Sequence, residues 1–286
     1  MKCRLSWCLV LVAWAAAAIV AGCVPGPVPN PTDDDLGPQW ASDRALIAYL
    51  HIRRTSSSTQ ATGLYVLDTL SHVSRLALSG IATGFDWIPG TDTLVVAAGG
   101  SISMVSSSGA VVPLATVPEA YSCSVSPDGK TVAFDGGAGT KSAMYLLDRT
   151  TGLVSNVTPD TMLYQFPDWS PSGDQLAVIG GSPHVSGLFL VLPTGEPRRL
   201  LRQSAQDLGA PSWSPDGRQM SWYEGGMRKL ITTDTVLAAP LARTPCRTGG
   251  SWSPDGQLIV FDADTNAGAR LFLLDVATGG VWQLDK

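Results

Sequence analysis

The chain has 286 residues, which exceeds the usual size of one domain, although all-β propellers, barrels and sandwiches of this length fold as single units. Hydrophobic residues make up 44% and charged residues 15%, with 30 glycines and 20 prolines, so many short buried strands are favoured over long helices. The net charge of −5 would be repelled by phosphate backbones, and no basic cluster exceeds Arg53-Arg54 or Arg198-Arg199. We therefore expect no nucleic-acid partner.

Residues 1–22 have the pattern of a signal peptide. Lys2 and Arg4 precede an apolar run over residues 5–19, and Ala21-Gly22-Cys23 follows. This cysteine resembles that of the bacterial lipobox, which implies a diacylglyceryl group on Cys23. An uncleaved membrane-spanning anchor fits less well, because the run is short and ends in small residues and prolines. We expect a lipid anchor at the outer face of the cytoplasmic membrane or the periplasmic side of the outer membrane.

A tether is predicted over residues 23–39. Residues 24–38 read VPGPVPNPTDDDLGP, with five prolines and three consecutive aspartates. Proline at this density favours polyproline II, which rises about 3.1 Å per residue. The run Asp33-Asp34-Asp35 is interpreted as a solvated charge run, with a metal or sorting determinant as the alternative.

A repeated phrase fills the rest of the chain. WSPDGQLIVF at Trp252 resembles WSPDGRQMSW at Trp213 and WSPSGDQLAV at Trp169, and weaker copies start at Trp40, Trp87 and Val125. The spacings are 47, 38, 44, 44 and 39 residues, a period typical of four-stranded propeller blades. In SPDG, proline sets φ for a turn and glycine takes the left-handed position, so the phrase predicts a hairpin between the first two strands of each blade.

The register of the repeat predicts buried strands. The seventh residue after each start is apolar, and the ninth is apolar or aromatic. A second apolar run and a short third run follow in each copy, although the fifth copy lacks the glycine turn between them. Each repeat thus supplies four strands. We predict an all-β fold of six whole antiparallel blades over residues 40–286, closed by packing of Trp252, Phe261 and Trp40 and not by strand exchange.

WSPDGRQMSW, WSPDGQLIVF and the later LFLLDVATG resemble the repeats of the TolB-type six-bladed propeller, a relative of WD-type repeats. The resemblance covers residues 40–286. It implies the fold, but one blade sequence serves binding platforms, substrate gates and enzymes alike. TolB carries an α/β domain before its propeller, and here only the predicted tether precedes the first blade.

The candidate reactive groups are few. No GxSxG motif accompanies the three histidines, and no catalytic set is recognised, so we expect a protein that is not an enzyme. The residue before each repeat start should lie near the central channel, and Asp86 and Asp168 are the acidic ones. They are weak candidates for a cation or sugar site, and the favoured interpretation is that they accept backbone N–H bonds. No cofactor is predicted.

Two cysteines remain after processing, Cys123 and Cys246. The blade assignment places them on opposite blades, farther apart than the roughly 7 Å between Cα atoms that a disulfide permits. We expect an unbridged pair.

The leading functional hypothesis is a membrane-anchored lipoprotein of the cell envelope, a monomer that binds a protein or peptidoglycan-associated partner. Contacts are expected from three insertions, at residues 53–63, 182–187 and 238–250. A channel-site hydrolase or lyase that uses Asp86 and Asp168 is one alternative. The other is a small-ligand or sugar-binding lipoprotein with Tyr121, Tyr164 and Phe166 at its rim.

Overall fold

The computed structural model describes residues 32–284, except residues 55–58, 118, 138–141, 159–161, 183–184, 196–197, 226, 233–234 and 243–245. The predicted signal peptide, Cys23 and most of the predicted tether lie outside the described residues. Within the described part, all regular structure is β-strand.

The strands form six four-stranded antiparallel sheets. The first three sheets contain β1 (Thr32–Trp40), β2 (Leu46–Arg54), β3 (Thr59–Asp68) and β4 (Val73–Leu78); β5 (Gly84–Trp87), β6 (Thr93–Ala98), β7 (Ser101–Ser106) and β8 (Val111–Thr116); and β9 (Ala120–Val125), β10 (Thr131–Gly136), β11 (Ala143–Asp148) and β12 (Val154–Asn156). The last three contain β13 (Leu163–Trp169), β14 (Leu176–Ser182), β15 (Val185–Val191) and β16 (Arg198–Ser204); β17 (Leu208–Trp213), β18 (Gln219–Glu224), β19 (Met227–Thr232) and β20 (Thr235–Ala242); and β21 (Cys246–Trp252), β22 (Leu258–Thr265), β23 (Gly268–Asp275) and β24 (Val281–Gln283).

The sheets are arranged as a β-propeller. The first strand of each sheet contacts the first strands of the two neighbouring sheets, and the contact of β1 with β21 completes the ring. These first strands surround the axis, and the fourth strands lie outermost. Each predicted repeat therefore corresponds to one sheet, as the tryptophan phrase indicated.

The repeat start pairs with the seventh residue after it in every sheet, from Trp40 with Ile47 to Trp252 with Ile259. The seventh, eighth and ninth residues are buried in all six sheets, with exposed fractions of 0–2%. The second strand is thus covered on both faces. This explains why successive residues of the second strand alternate in side-chain size and not between apolar and polar.

The core consists of separate clusters between adjacent sheets. One cluster joins Leu50 and Leu64 to Trp87 and Leu94, and comparable clusters follow around the ring. The cluster that closes the ring joins Ile47 and Tyr49 of the first sheet to Val260 and Leu271 of the sixth. Each sheet is therefore held by hydrophobic burial on its two faces.

Ring closure occurs without strand exchange, as predicted, because β1–β4 and β21–β24 are separate sheets. Trp40 packs in the closing cluster, and its backbone N–H donates to Ser251 Oγ at 3.1 Å. The predicted role of Trp252 and Phe261 in closing the ring was wrong. Both side chains belong to the cluster that includes Tyr223 of the fifth sheet, because they point to the opposite face of the sixth sheet.

The predicted boundary of the tether was also wrong. Residues 32–39 are part of β1, and Asp34 and Asp35 are each only 2% exposed. Asp34 Oδ1 accepts the Ala269 N–H at 2.8 Å, and Asp35 Oδ1 lies 2.8 Å from His51 Nδ1. These distant partners compensate the cost of burying carboxylates, so the aspartate run is not a solvated segment. The propeller begins at Thr32.

The described residues include no helix long and apolar enough to cross a membrane.

Candidate functional site

The two ends of the ring differ and are named here by their strands. At the mouth face the first strand of each sheet turns into the second, directly after the start residues Trp40 to Trp252. At the entry face the first strands begin, at Thr32 and its counterparts. Strand direction places the turns between second and third strands, such as residues 265–268, at the entry face.

The hairpins of the mouth face have the predicted geometry. In the sixth sheet, the Gly256 N–H donates to the Ser253 carbonyl at 2.9 Å, and Gly256 has φ +70°. The Ser253 hydroxyl donates to Asp255 Oδ1 and accepts the Leu258 N–H. The same serine-centred turn recurs at Ser126 and Ser214. The aspartates of these turns therefore have a structural role.

A cavity of about 300 Å³ lies at the centre of the mouth face. Its floor is a ring of six residues, each of which directly precedes a repeat start. These residues are Gln39, Asp86, Ser124, Asp168, Ser212 and Ser251. Its wall consists of the start residues and of prolines from the hairpins, Pro89, Pro127, Pro171, Pro215 and Pro254. The tryptophans and prolines thus form an apolar funnel above a polar floor.

The floor residues link neighbouring sheets. Asp86 Oδ2 accepts the Val125 N–H at 2.7 Å, and Asp168 Oδ2 accepts the Trp213 N–H at 2.7 Å. Ser124 Oγ accepts the Trp169 N–H in the same manner. The two aspartates therefore accept backbone N–H bonds, which is the interpretation that the sequence favoured.

Burial changes the acidity of both aspartates. Burial raises the pKa of Asp86 to about 6, although the N–H groups of Val125 and Trp87 oppose this change. Burial also raises the pKa of Asp168 to about 8, with a smaller rise from the negative charge of Asp86. The floor therefore holds two carboxyl groups of unequal acidity, and Asp168, which keeps its proton to the higher pH, can donate a hydrogen bond while it is protonated.

The acidic side chains of the floor are engaged by the backbone. Within the described residues no group of three or more histidine, cysteine or acidic side chains is close enough to hold an ion. Asp86 engages both of its oxygens with backbone N–H groups, since Oδ1 accepts the Trp87 N–H at 2.8 Å. In the part of the chain that the structure describes, no third acidic, histidine or cysteine side chain lies beside Asp86 and Asp168 to complete a ligand set.

The predicted rim aromatics do not form part of this cavity. Tyr164 is fully buried in the cluster between the third and fourth sheets, because it lies on an inner face of β13. Phe166 packs against the next cluster, and Tyr121 donates a hydrogen bond to Glu119 at 2.6 Å. None of the three lines the cavity. The half-buried Trp40 and Trp213 line it instead. The sequence offered one signal for these cavity residues, which is that both begin a copy of the repeat.

The three predicted insertions are described only in part, because residues 55–58, 183–184 and 243–245 lie outside the described residues. The described strand ends that flank these gaps lie at the entry face. The third insertion, residues 238–250, also extends to the cavity, because Gly250 directly precedes the floor residue Ser251.

Cys123 is a free, buried thiol whose Sγ lies 3.9 Å from the Val95 carbonyl oxygen, and burial raises its pKa. The side chain of Cys246 lies outside the described residues.

The fold defines a class, the β-propeller, that is shared with proteins of different activities. No family model matches the chain, and no curated protein matches it. Among solved structures, the chain is similar to TolB from Acinetobacter baumannii, with a TM-score of 0.67 and 17% identity over 92% of this chain and 65% of that one.

Two enzymes show comparable similarity. An oligogalacturonate lyase in complex with manganese has a TM-score of 0.62 and 16% identity over 90% of this chain and 78% of that one. A puromycin-hydrolyzing peptidase of Mycobacterium tuberculosis has a TM-score of 0.60 and 13% identity over 88% and 53%. At these identities the likenesses concern the fold, which hosts different activities in different proteins.

Proposed function

We propose that this chain is a lipid-anchored protein of the cell envelope whose propeller binds a protein partner at the cavity of the mouth face. The observation that carries the proposal is the rigid funnel of tryptophans and prolines above a polar floor. Concave sites with aromatic anchors and a few fixed polar groups are typical of protein recognition surfaces.

Rigidity favours binding at this place. Each hairpin of the funnel is closed by backbone hydrogen bonds, such as Gly217 N–H to the Ser214 carbonyl at 2.9 Å. Trp87 and Trp252 are fixed further, because their indole N–H groups donate to the Gln39 and Ser212 carbonyls. A partner would order few side chains on docking, which lowers the entropic cost of association.

The lipobox-like cysteine supports the envelope location. Several acyl chains on Cys23 would hold the protein stably at a membrane surface. The similarity to TolB structures supports the same compartment and a role in protein binding. A peptidoglycan-associated partner and a monomeric state are parts of the same proposal.

Site-specific photocrosslinking in native membranes tests the proposal. A photoreactive residue replaces the exposed Pro215 at the cavity, and a second variant carries it at the exposed Asn266 of the entry face. We expect one discrete protein adduct from position 215 and none of that mass from position 266. An adduct that forms only from position 266, or none from either position, would refute binding at the mouth.

A hydrolase or lyase is a second candidate, and the separated pKa values of Asp86 and Asp168 favour it. Two carboxyl groups with different pKa values in one cavity resemble a general acid and a general base. The remaining negative charge opposes an anionic substrate such as an oligogalacturonate. Incubation of the purified propeller with oligogalacturonate and manganese tests this candidate, and it requires turnover that the Asp168→Asn variant lacks.

A further inference from the structure

The position of β1 restricts how the propeller can sit on a membrane. Thr32 is the first residue of β1, and β1 is the strand nearest the axis of the first sheet. Thr32 pairs with Arg54 at the end of β2, whereas Trp40 lies at the cavity. The chain therefore enters the propeller at the centre of the entry face, at the opposite end from the cavity.

The connection to the predicted lipid site is short. Nine residue steps separate Cys23 from Thr32, and four of the eight intervening residues are proline. At about 3.1 Å per residue, a polyproline II segment of this length spans about 28 Å. The shortened tether follows directly from the assignment of residues 32–39 to β1.

This length does not allow the tether to pass around the propeller to the mouth face. A path around the first sheet crosses three strand spacings, about 14 Å, and then follows the five residue steps of β4, about 17 Å, which together exceed the reach of the tether. A path along the axis covers the eight residue steps of β1, about 27 Å, which would use the whole tether and would lead through the ring of floor side chains. The tether is therefore too short to go around the sheet and has no length to spare along the axis.

Three described cations of the entry face already have protein partners. Arg53 pairs with Asp33 at 3.1 Å, and Arg202 pairs with the buried Glu224 at 2.8 Å. Arg270 donates to the backbone carbonyls of Asp33 and Ala267. The attachment on which the orientation depends is therefore the proposed acyl anchor and not these three side chains.

We infer that the anchored protein turns its entry face toward its own membrane and opens its cavity away from it. This inference rests on the proposed lipid anchor. It limits the partners of the cavity to soluble proteins or to proteins held on the far side, such as those attached to the cell wall. A partner embedded in the same membrane meets the entry face.

Energy transfer to a membrane-surface acceptor tests this orientation. The donor is attached to a cysteine at Gln257 or at Asn266, two exposed positions that flank the eight-residue strand β22. The two variants share one sheet and differ only in the end of the strand that is labelled. Both carry Cys246→Ser, and the buried Cys123 stays unlabelled in the native protein.

The lipidated protein is added to preformed phosphatidylethanolamine and phosphatidylglycerol vesicles that contain an acceptor-labelled lipid. Flotation is measured first, with Cys23→Ser as the unanchored control. We expect the donor at position 266 to transfer more efficiently than the donor at position 257, by an apparent distance of about 25–30 Å along β22.

The outcomes separate the two proposals. A protein that floats but transfers equally from both positions, or better from position 257, overturns the orientation and leaves the anchor in place. A protein that does not float, or that floats as well with Cys23→Ser, overturns the lipid anchor and with it the orientation.

Discussion

The raised pKa of Asp168 predicts how the free energy of unfolding depends on pH. Burial raises its pKa to about 8, far above the usual value of 3.8. Between these two values the folded protein holds a proton that the unfolded chain has released. The free energy of unfolding therefore falls by about 1.4 kcal/mol for each unit by which the pH rises between these two values.

Asp168→Asn removes this titration but keeps an oxygen that can accept the Trp213 N–H. Water in the open cavity screens the charge, so we expect roughly half of the full effect. The wild-type protein should lose about 2 kcal/mol more than the variant between pH 5 and pH 9, with both equally stable near pH 5.

Urea unfolding, followed by tryptophan fluorescence at pH 5, 7 and 9, measures this difference. The control is Asp207→Asn, which removes one exposed carboxylate from the entry face. The reasoning fails if Asp168→Asn and Asp207→Asn have the same pH dependence as the wild-type protein. It also fails if Asp168→Asn loses as much stability between pH 5 and pH 9 as the wild-type protein does.

Three further variants test the ring and its core. Ser251→Ala removes the acceptor of the Trp40 N–H and should lower the free energy of unfolding by about 1–2 kcal/mol, measured by urea unfolding. Gly195→Ala should cost more than about 3 kcal/mol, because φ is +90° and a Cβ would meet a backbone carbonyl, whereas Gly90→Ala, with φ +75° and open space, should cost about 1 kcal/mol. Equal losses would contradict this reasoning. Cys123 should react with a thiol reagent only in denaturant, and rapid reaction in the native protein would contradict its burial.

The fold was predictable because the repeat fixes local structure and packing together. The serine-proline-aspartate-glycine turn sets one hairpin, and the apolar residues seven to nine positions later fill the space between two sheets. The irregular fifth copy still forms β19 and β20, because their neighbours in the sheet supply the pairing that the missing glycine turn does not.

The missed features depend on contacts that no local pattern records. Asp34 is compensated by Ala269, which is 235 residues away, and Asp35 by His51 across a strand pair. An aspartate run beside prolines therefore resembled a linker. Tyr164 and Trp213 have similar aromatic character in the sequence, and only the facing of β13 and β17 decides which is buried and which lines the cavity.

The direction in which β1 leaves the propeller also determines how the protein carries mechanical load. A pull on the N-terminus acts along the strand, and the seven residue pairs between β1 and β2 resist it together in shear. A pull across the strand would instead open these residue pairs one at a time. The acid-to-backbone bond from Ala269 to Asp34 adds the sixth sheet to the same resistance. With the proposed lipid anchor, the attachment would therefore be the strand that completes the ring, and force on it would be spread over the joint between the first and last sheets.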